Sequence, residues 1–218
     1  MKSYIFILSA VAAALLGVSG CQKAYYSTME AFGKHKRDIL VDRVADARDA
    51  QNEAKEQFAS ALDEFTSVLN IEGGDLRKQY DSLKSAYDAS SKKAGAVSSR
   101  IADVKKVAIA LFKEWEAELD QYASDSLRRS SKEQLGRTRG QYEQLIAAME
   151  RAESRIQPVL TALNDQVLYL KHNLNAQAIA SLQNELVTVE TDVAALIREM
   201  ETAIAEADAF ISAMAQPE

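Results

Sequence analysis

One thiol, two imidazoles and an excess of carboxylates are the groups on this 218-residue chain that could do chemistry. Their spacing argues against catalysis. His35 and His172 fall near opposite ends of different expected helices, too far apart to share a metal ion or to serve one nucleophile. No G-x-x-x-x-G-K-[ST] is present to cradle a nucleotide, and neither H-E-x-x-H nor C-x-x-C occurs. The serines lie outside any G-x-S-x-G elbow, and no helix carries the Glu-x-x-His pair of a di-iron bundle. Glu114-Trp115-Glu116 sets an indole on an apolar seam, where a packed tryptophan is the expectation. Gly136 and Gly140 have small-xxx-small spacing, but in a polar segment that spacing has no membrane meaning. The expectation is a protein without catalytic residues, metal ligands or cofactor. Cys21 remains, a lone thiol with no second cysteine to pair with.

Cys21 sits at the end of an export signal. Lys2 gives a positive start, Tyr4 to Leu16 an apolar run of about thirteen residues, and Gly17 to Gly20 a small-residue cleavage site. The run is too short to span a bilayer, which takes about 20 residues. Gly17-Val18-Ser19-Gly20-Cys21-Gln22 resembles the lipobox of bacterial lipoproteins. That resemblance implies that the Cys21 thiol receives a diacylglycerol and then becomes the mature N-terminus. Gln22 rather than aspartate after the cysteine resembles the pattern sorted to the outer membrane, on its periplasmic side. The expected organisation is a signal peptide over 1–20, a lipidated tether over 21–27 and a single helical domain over 28–218.

Composition sets bounds on the mature chain. Its roughly 198 residues are enough for one domain with a sizeable core, and without a disulfide that core must stabilise itself. A formal charge of -6, together with export, argues against nucleic acid as a partner. Two prolines and eight glycines among abundant alanine, glutamate, lysine, glutamine and leucine favour helix throughout.

Apolar periodicity locates four helices. The second segment alternates steps of four and three through Leu76, Tyr80, Leu83, Tyr87, Ser90, Ala94, Val97, Ile101, Val104, Ala108, Leu111, Trp115, Glu118 and Tyr122, with Leu119 covering for Glu118. The third runs Leu135, Thr138, Tyr142, Leu145, Met149, Ala152, Ile156, Val159, Leu163, Val167, Leu170, Leu174, and crosses Pro158 with its phase kept, so a bent helix is expected rather than a break. The last runs Ile179, Leu182, Leu186, Val189, Val193, Leu196, Met200, Ala203, Ala207, Phe210, Met214. Ile197, Ile204 and Ile211 widen that stripe, as for a helix with more than one neighbour. The first segment is less regular: Leu40, Val44, Ala47, Ala54, Phe58, Leu62, Phe65, Leu69.

Start and stop signals set the helix limits. Ser27-Thr28-Met29-Glu30 and Ser130-Ser131-Lys132-Glu133 fit the capping box. Gly73-Gly74-Asp75 offers a stop followed by an N-cap, and Asn173 and Asn175 a stop and restart. The expected helices cover 28–71, 75–123, 131–172 and 176–214, each roughly 60–70 Å long at 1.5 Å per residue. The fold class is all-α. Short connections make neighbours antiparallel, and matched lengths favour one elongated four-helix bundle with coiled-coil-like packing over two separate hairpins. Spare stripe width on the last helix leaves a homo-oligomer open.

Antiparallel helices put particular residues beside the anchor. A tether of about six residues holds the start of the first helix close to the membrane. The second helix returns to that end, bringing the 124–130 connection with it. Lys34, Lys36 and Arg37 lie at that end of the first helix, and Arg128, Arg129, Lys132, Arg137 and Arg139 lie around the connection. They form a candidate basic collar against anionic headgroups, each cation contributing up to about 1 kcal/mol. Tyr25 and Tyr26 suit the same interface. The competing reading is ordinary solvated helix faces, with Asp38, Asp42 and Asp46 pairing with the first cluster.

Ala24-Tyr25-Tyr26-Ser27-Thr28-Met29-Glu30, followed by His35-Lys36-Arg37-Asp38-Ile39-Leu40-Val41-Asp42-Arg43-Val44 and Ala47-Arg48-Asp49-Ala50-Gln51, resembles an uncharacterised family of Gram-negative lipoproteins catalogued as a domain of unknown function. The resemblance covers essentially the whole mature chain. It implies an exported, helical, coiled-coil lipoprotein and supplies no activity. A "DNA repair ATPase" label attached to such proteins would find no P-loop here to support it. The expected role is a non-enzymatic, lipid-anchored scaffold or adaptor of the cell envelope, presenting helix faces to an envelope protein. The alternative is a membrane-surface-binding helical module that uses the basic end.

Overall fold

A computed structural model of the chain describes residues 35–69, 75–173 and 176–215. The expectations placed on Cys21, Lys34, the tyrosines at 25 and 26, the Ser27 capping box and the Gly73-Gly74 turn fall outside these residues. The described chain forms α1 (Lys36–Leu69), α2 (Leu76–Glu118), a 3-10 turn (Leu119–Gln121), α3 (Asp125–His172), α4 (Ala176–Gln183) and α5 (Leu186–Ala215). Among the described residues there is no strand. The fold is the expected all-α bundle.

The apolar seams decide the packing. α1 packs on α2 and α5, and α3 packs on the same two helices, so α1 and α3 face one another across the bundle axis. The seam positions of all four segments supply most of the interior, from Leu40 and Phe58 on α1 to Leu145 and Met149 on α3 and Leu196 and Met200 on α5. Ile197 and Ile211, which widen the last stripe, pack partly buried against this core, as fits a helix with two neighbours.

Polar contacts on the bundle surface mark the antiparallel register. From α1 to α2 they run Lys36–Glu114 at 2.8 Å, Asp46–Arg100 at 3.5 Å and Glu53–Lys93 at 2.6 Å. From α1 to α5, Arg48 meets Asp208 at 2.9 Å and Lys55 meets Glu201 at 3.9 Å. Lys105 on α2 pairs with Glu150 on α3, and Arg151 on α3 with Glu199 on α5. Exposed pairs of this kind each contribute at most about 1 kcal/mol, so they report the register more than they hold the fold.

The first seam is regular after all. Gln51 occupies the step between Ala47 and Ala54, 0% exposed, and an amide there hid the heptad from a reading by apolar residues. Among the described residues neither its Oε1 nor its Nε2 has a hydrogen-bond partner. The ion pairs on either side place this amide level with Ala94 on α2 and with Ala203 and Ala207 on α5, all buried. Alanine on the facing helices leaves volume for one long side chain on α1.

Two helix boundaries differ in ways local chemistry explains. α3 starts at Asp125, not at 131. Ser124 is its N-cap, accepting from the Leu127 backbone N–H at 3.4 Å, and Asp125 in the first turn complements the helix dipole. The Ser130–Glu133 capping box lies within the helix and caps nothing. Pro158 leaves α3 unbroken through His172. It lies on the exposed face, as does Ser154, so the carbonyl it leaves without a donor meets water.

The expected helix over 176–214 is two helices, α4 and α5. Asn184 and Glu185 donate their N–H groups to Ser181 and Leu182 in tight i to i+3 bonds at 3.3 and 3.0 Å, which ends α4. The turn lets the Gln183 side chain donate to the carbonyl of Leu69, at the last turn of α1. Leu182 and Val189 stay buried on either side, so the seam passes through the break in phase. Asp75 caps α2 as expected, accepting from Arg77 and Lys78.

Candidate functional site

The start of α1, the end of α2, the start of α3 and the end of α5 meet at one end of the bundle. Here Trp115 is half-buried, and its indole N–H donates to the Ser131 hydroxyl at 2.8 Å, tying α2 to α3. Below it the Phe112 ring meets Tyr142 edge to face, with centroids 5.4 Å apart. The guanidinium of Arg139 lies 5.1 Å from the Phe112 centroid and pairs with Glu116 at 2.9 Å. On the other flank Lys36, its side chain only 10% exposed, pairs with Glu114 at 2.8 Å. Arg37 donates to the carbonyl of Met214 at 2.8 Å, tying α1 to α5. A cleft of about 370 Å³ opens between these groups, lined by His35, Lys36, Arg37, Leu111, Glu114, Trp115 and Glu118.

The expected proximity of the two basic segments therefore holds for their described members. Their electrostatic freedom is much smaller than the sequence implied. Lys36 and Arg139 are held by acids of α2, Arg37 by a carbonyl of α5, Arg128 by Asp125 at 2.5 Å, and Arg137 by the side-chain oxygen of Gln134 at 3.1 Å. Arg129 and Lys132 make no ion pair among the described residues. Asp38 accepts the His35 backbone N–H at 3.1 Å, and Asp46 pairs with Arg43 and Arg100. Several of the engaging groups come from other helices or from the backbone, which a scan for charge runs along the sequence misses. Glu114, Glu116, Glu118 and Asp120 near the end of α2 offset the cations of α3, making this end mixed in charge.

Among the described residues nothing at this end assembles a nucleophile, base and oxyanion donor, and its cleft pairs cations with acids. Among the described residues no group of three or more His, Cys, Asp or Glu side chains could hold a metal ion. His35 stands at this end and His172 at the far end of α3. A second cleft of about 370 Å³ lies midway between α2 and α3, lined by Ser91, Gly95, Ser98, Glu153, Gln157 and Leu160 among others. Among the described residues no helix is long and apolar enough to cross a membrane.

Comparison with known families meets this geometry at one point. The family described as "Protein of unknown function (DUF2959)" matches residues 25–214. The chain belongs to the DUF2959 family. The match spans the block from Ala24 to Gln51 almost entirely and all five described helices, so the family unit is the bundle itself. No curated protein matches the chain. Membership leaves the activity open, so the functional reading of this DUF2959 chain rests on its own residues.

One titration belongs to this end of the bundle. Burial, with a smaller contribution from the charge of Glu150, pushes the Tyr142 phenol above its usual value. The folded state thus favours the neutral phenol. The stability this contributes is complete below the unfolded tyrosine value near 10 and is lost as pH rises through the folded value. Urea unfolding of the wild type and of Tyr142→Phe at pH 9 and pH 11 checks this. The variant should lose less stability between the two pH values, and equal losses would contradict it.

Proposed function

We propose that this DUF2959 protein is a non-enzymatic, lipid-anchored scaffold or adaptor of the cell envelope. Cys21 is the point of attachment, carrying a diacylglycerol on the periplasmic side, with the outer membrane favoured over the inner by Gln22. The observation that carries the reading is the pairing of a signal ending at a lone cysteine with a bundle whose interior is filled along its length by seam side chains. A 48-residue helix such as α3 extends roughly 70 Å at 1.5 Å per residue. That length gives a large ratio of outward helix face to volume, which suits a protein that holds others at a distance from a membrane.

The anchor gives the bundle a direction. Thirteen residues lie between Cys21 and His35, so the two positions are at most about 50 Å apart when that segment is fully extended. The end holding Lys36, Trp115 and Ser131 is therefore the membrane-proximal end. The turn between α4 and α5, with Val187 69% exposed beside it, is distal and open to a partner. Leu168 and Val187, 47% and 69% exposed, are large apolar side chains at or near that end that a protein partner would cover. Photocrosslinking in cells tests the reading: probes at Ile109, Leu168 and Val187 should give discrete adducts with other envelope proteins, and a full set of silent positions would contradict it.

A further inference from the structure

The beginning of α3 carries a piece of core seam that none of the described helices covers. Leu127 lies one helical turn before Ser131 and two before Leu135 on the inward stripe of α3. Ser131 is engaged by Trp115 and Leu135 is buried, yet Leu127 is 59% exposed. The cause is an overhang. α2 ends at Glu118 and passes through a 3-10 turn, while α3 begins with its own cap at Ser124, so the first turn of α3 stands beyond the described helices that pack on its later turns. Tyr122, 38% exposed, sits on the same connection. Arg129 and Lys132 come within the next two turns and make no ion pair among the described residues.

We infer that this corner is a bilayer-contacting tip, with Leu127 and Tyr122 entering the boundary between headgroups and acyl chains. The occupant is a phospholipid surface. The inference rests on the proposed anchoring at Cys21, which brings this end of the bundle within reach of lipid. An exposed leucine and tyrosine at the tip, with Arg129 and Lys132 on other faces of the first turns of α3, form a side-chain set that suits such a boundary: the leucine meets acyl chain, the phenol the interface, and the cations the phosphates around the tip. Lys36, Arg37, Arg128, Arg137 and Arg139 are engaged within the protein, so the contact is led by apolar insertion rather than by a collar of charge. The anchor and the tip together would give two points of contact and hold the bundle at a fixed attitude to the membrane.

Brominated lipids, which quench indole within the acyl region, provide the test. The mature chain is coupled through its only cysteine, Cys21, to a maleimide-headgroup lipid in phosphatidylcholine vesicles containing brominated chains. Leu127→Trp is compared with Ile109→Trp, a substitution at another exposed position on the side of α2, against the common background of Trp115. Both replacements are in solvent, and circular dichroism confirms that the bundle is intact. The Leu127→Trp protein should lose at least twice the fraction of its fluorescence that the wild type loses, while Ile109→Trp should match the wild type. Quenching of Leu127→Trp no greater than that of Ile109→Trp overturns the inference, whether a protein partner or the chain before α1 covers the corner instead. The coupling attaches the chain however the native thiol is used, so this outcome bears on the tip alone. Failure of the anchor itself would show separately, as an unmodified Cys21 in the mass of the native N-terminal peptide.

Discussion

Replacing Phe58 by alanine should lower the unfolding free energy of the bundle by about 4 kcal/mol. Phe58 is 0% exposed and lies near the middle of α1, which packs on both α2 and α5. Truncation removes an aromatic ring from a layer whose backbone is held by helices on two sides. The walls can close only in part, and the remaining void adds to the lost transfer energy. For a chain of this size each kcal/mol corresponds to a fall of about 2–4 °C in Tm, so a drop of roughly 8–16 °C is expected. Urea unfolding followed by helical circular dichroism gives the number. Ile109→Ala, at a position 68% exposed, provides the contrast and should change stability by less than about 0.5 kcal/mol. A loss below about 1 kcal/mol for Phe58→Ala would mean that α1 does not pack in this layer.

The opposite sign is expected seven residues earlier on the same seam. Gln51→Met should stabilise the bundle by about 2 kcal/mol. Both polar atoms of the Gln51 amide are buried and have no partner among the described residues, so folding strips water from a donor and an acceptor and no protein group replaces it. Methionine is similarly long and unbranched, fits irregular space and carries no group that needs a partner. The alanines level with this position on α2 and α5 leave room for it. A Tm raised by roughly 4–8 °C is the expected result. Destabilisation instead would show that the amide is satisfied, by buried water held between the alanines. A lone polar residue in a seam also fixes register at a cost in stability. The apolar seam of α1, from Leu40 to Phe65, should keep the register in the variant, with an unchanged sedimenting mass.

The two substitutions also show what could be read from the sequence. Phe58 belongs to an apolar series whose period gives it away, as do the seams of α2, α3 and α5, because each of their positions is decided by one local property. Gln51 belongs to the same series, but its chemistry hides it, and only the alanines of the facing helices explain why a glutamine fits. The start of α3 is similar. The capping-box pattern at Ser130 is a strong local signal, yet Ser124, followed by Asp125 and good helix formers, caps the chain earlier. The break at Asn184 escapes periodicity because the seam runs through it in phase.

At the end holding Trp115, short connections made the meeting of Lys36 with the 128–139 cations legible. Their pairing was not, since Glu114, Glu116 and the Met214 carbonyl arrive from other helices. The Trp115–Ser131 bond has no signature in either segment alone, and the exposure of Leu127 depends on where two helices stop relative to each other.

A bundle that serves as an anchored surface for other envelope proteins should capture them in place. Photocrosslinking in cells decides this, with a photoreactive residue placed in turn at Ile109, Leu168 and Val187, in the native chain and in Cys21→Ala. Discrete protein adducts are expected from at least one position, strongest toward Val187, and they should be lost when Cys21→Ala releases the chain from the membrane. Adducts absent at every position, or unchanged in number and size without Cys21, would rule out an anchored scaffold.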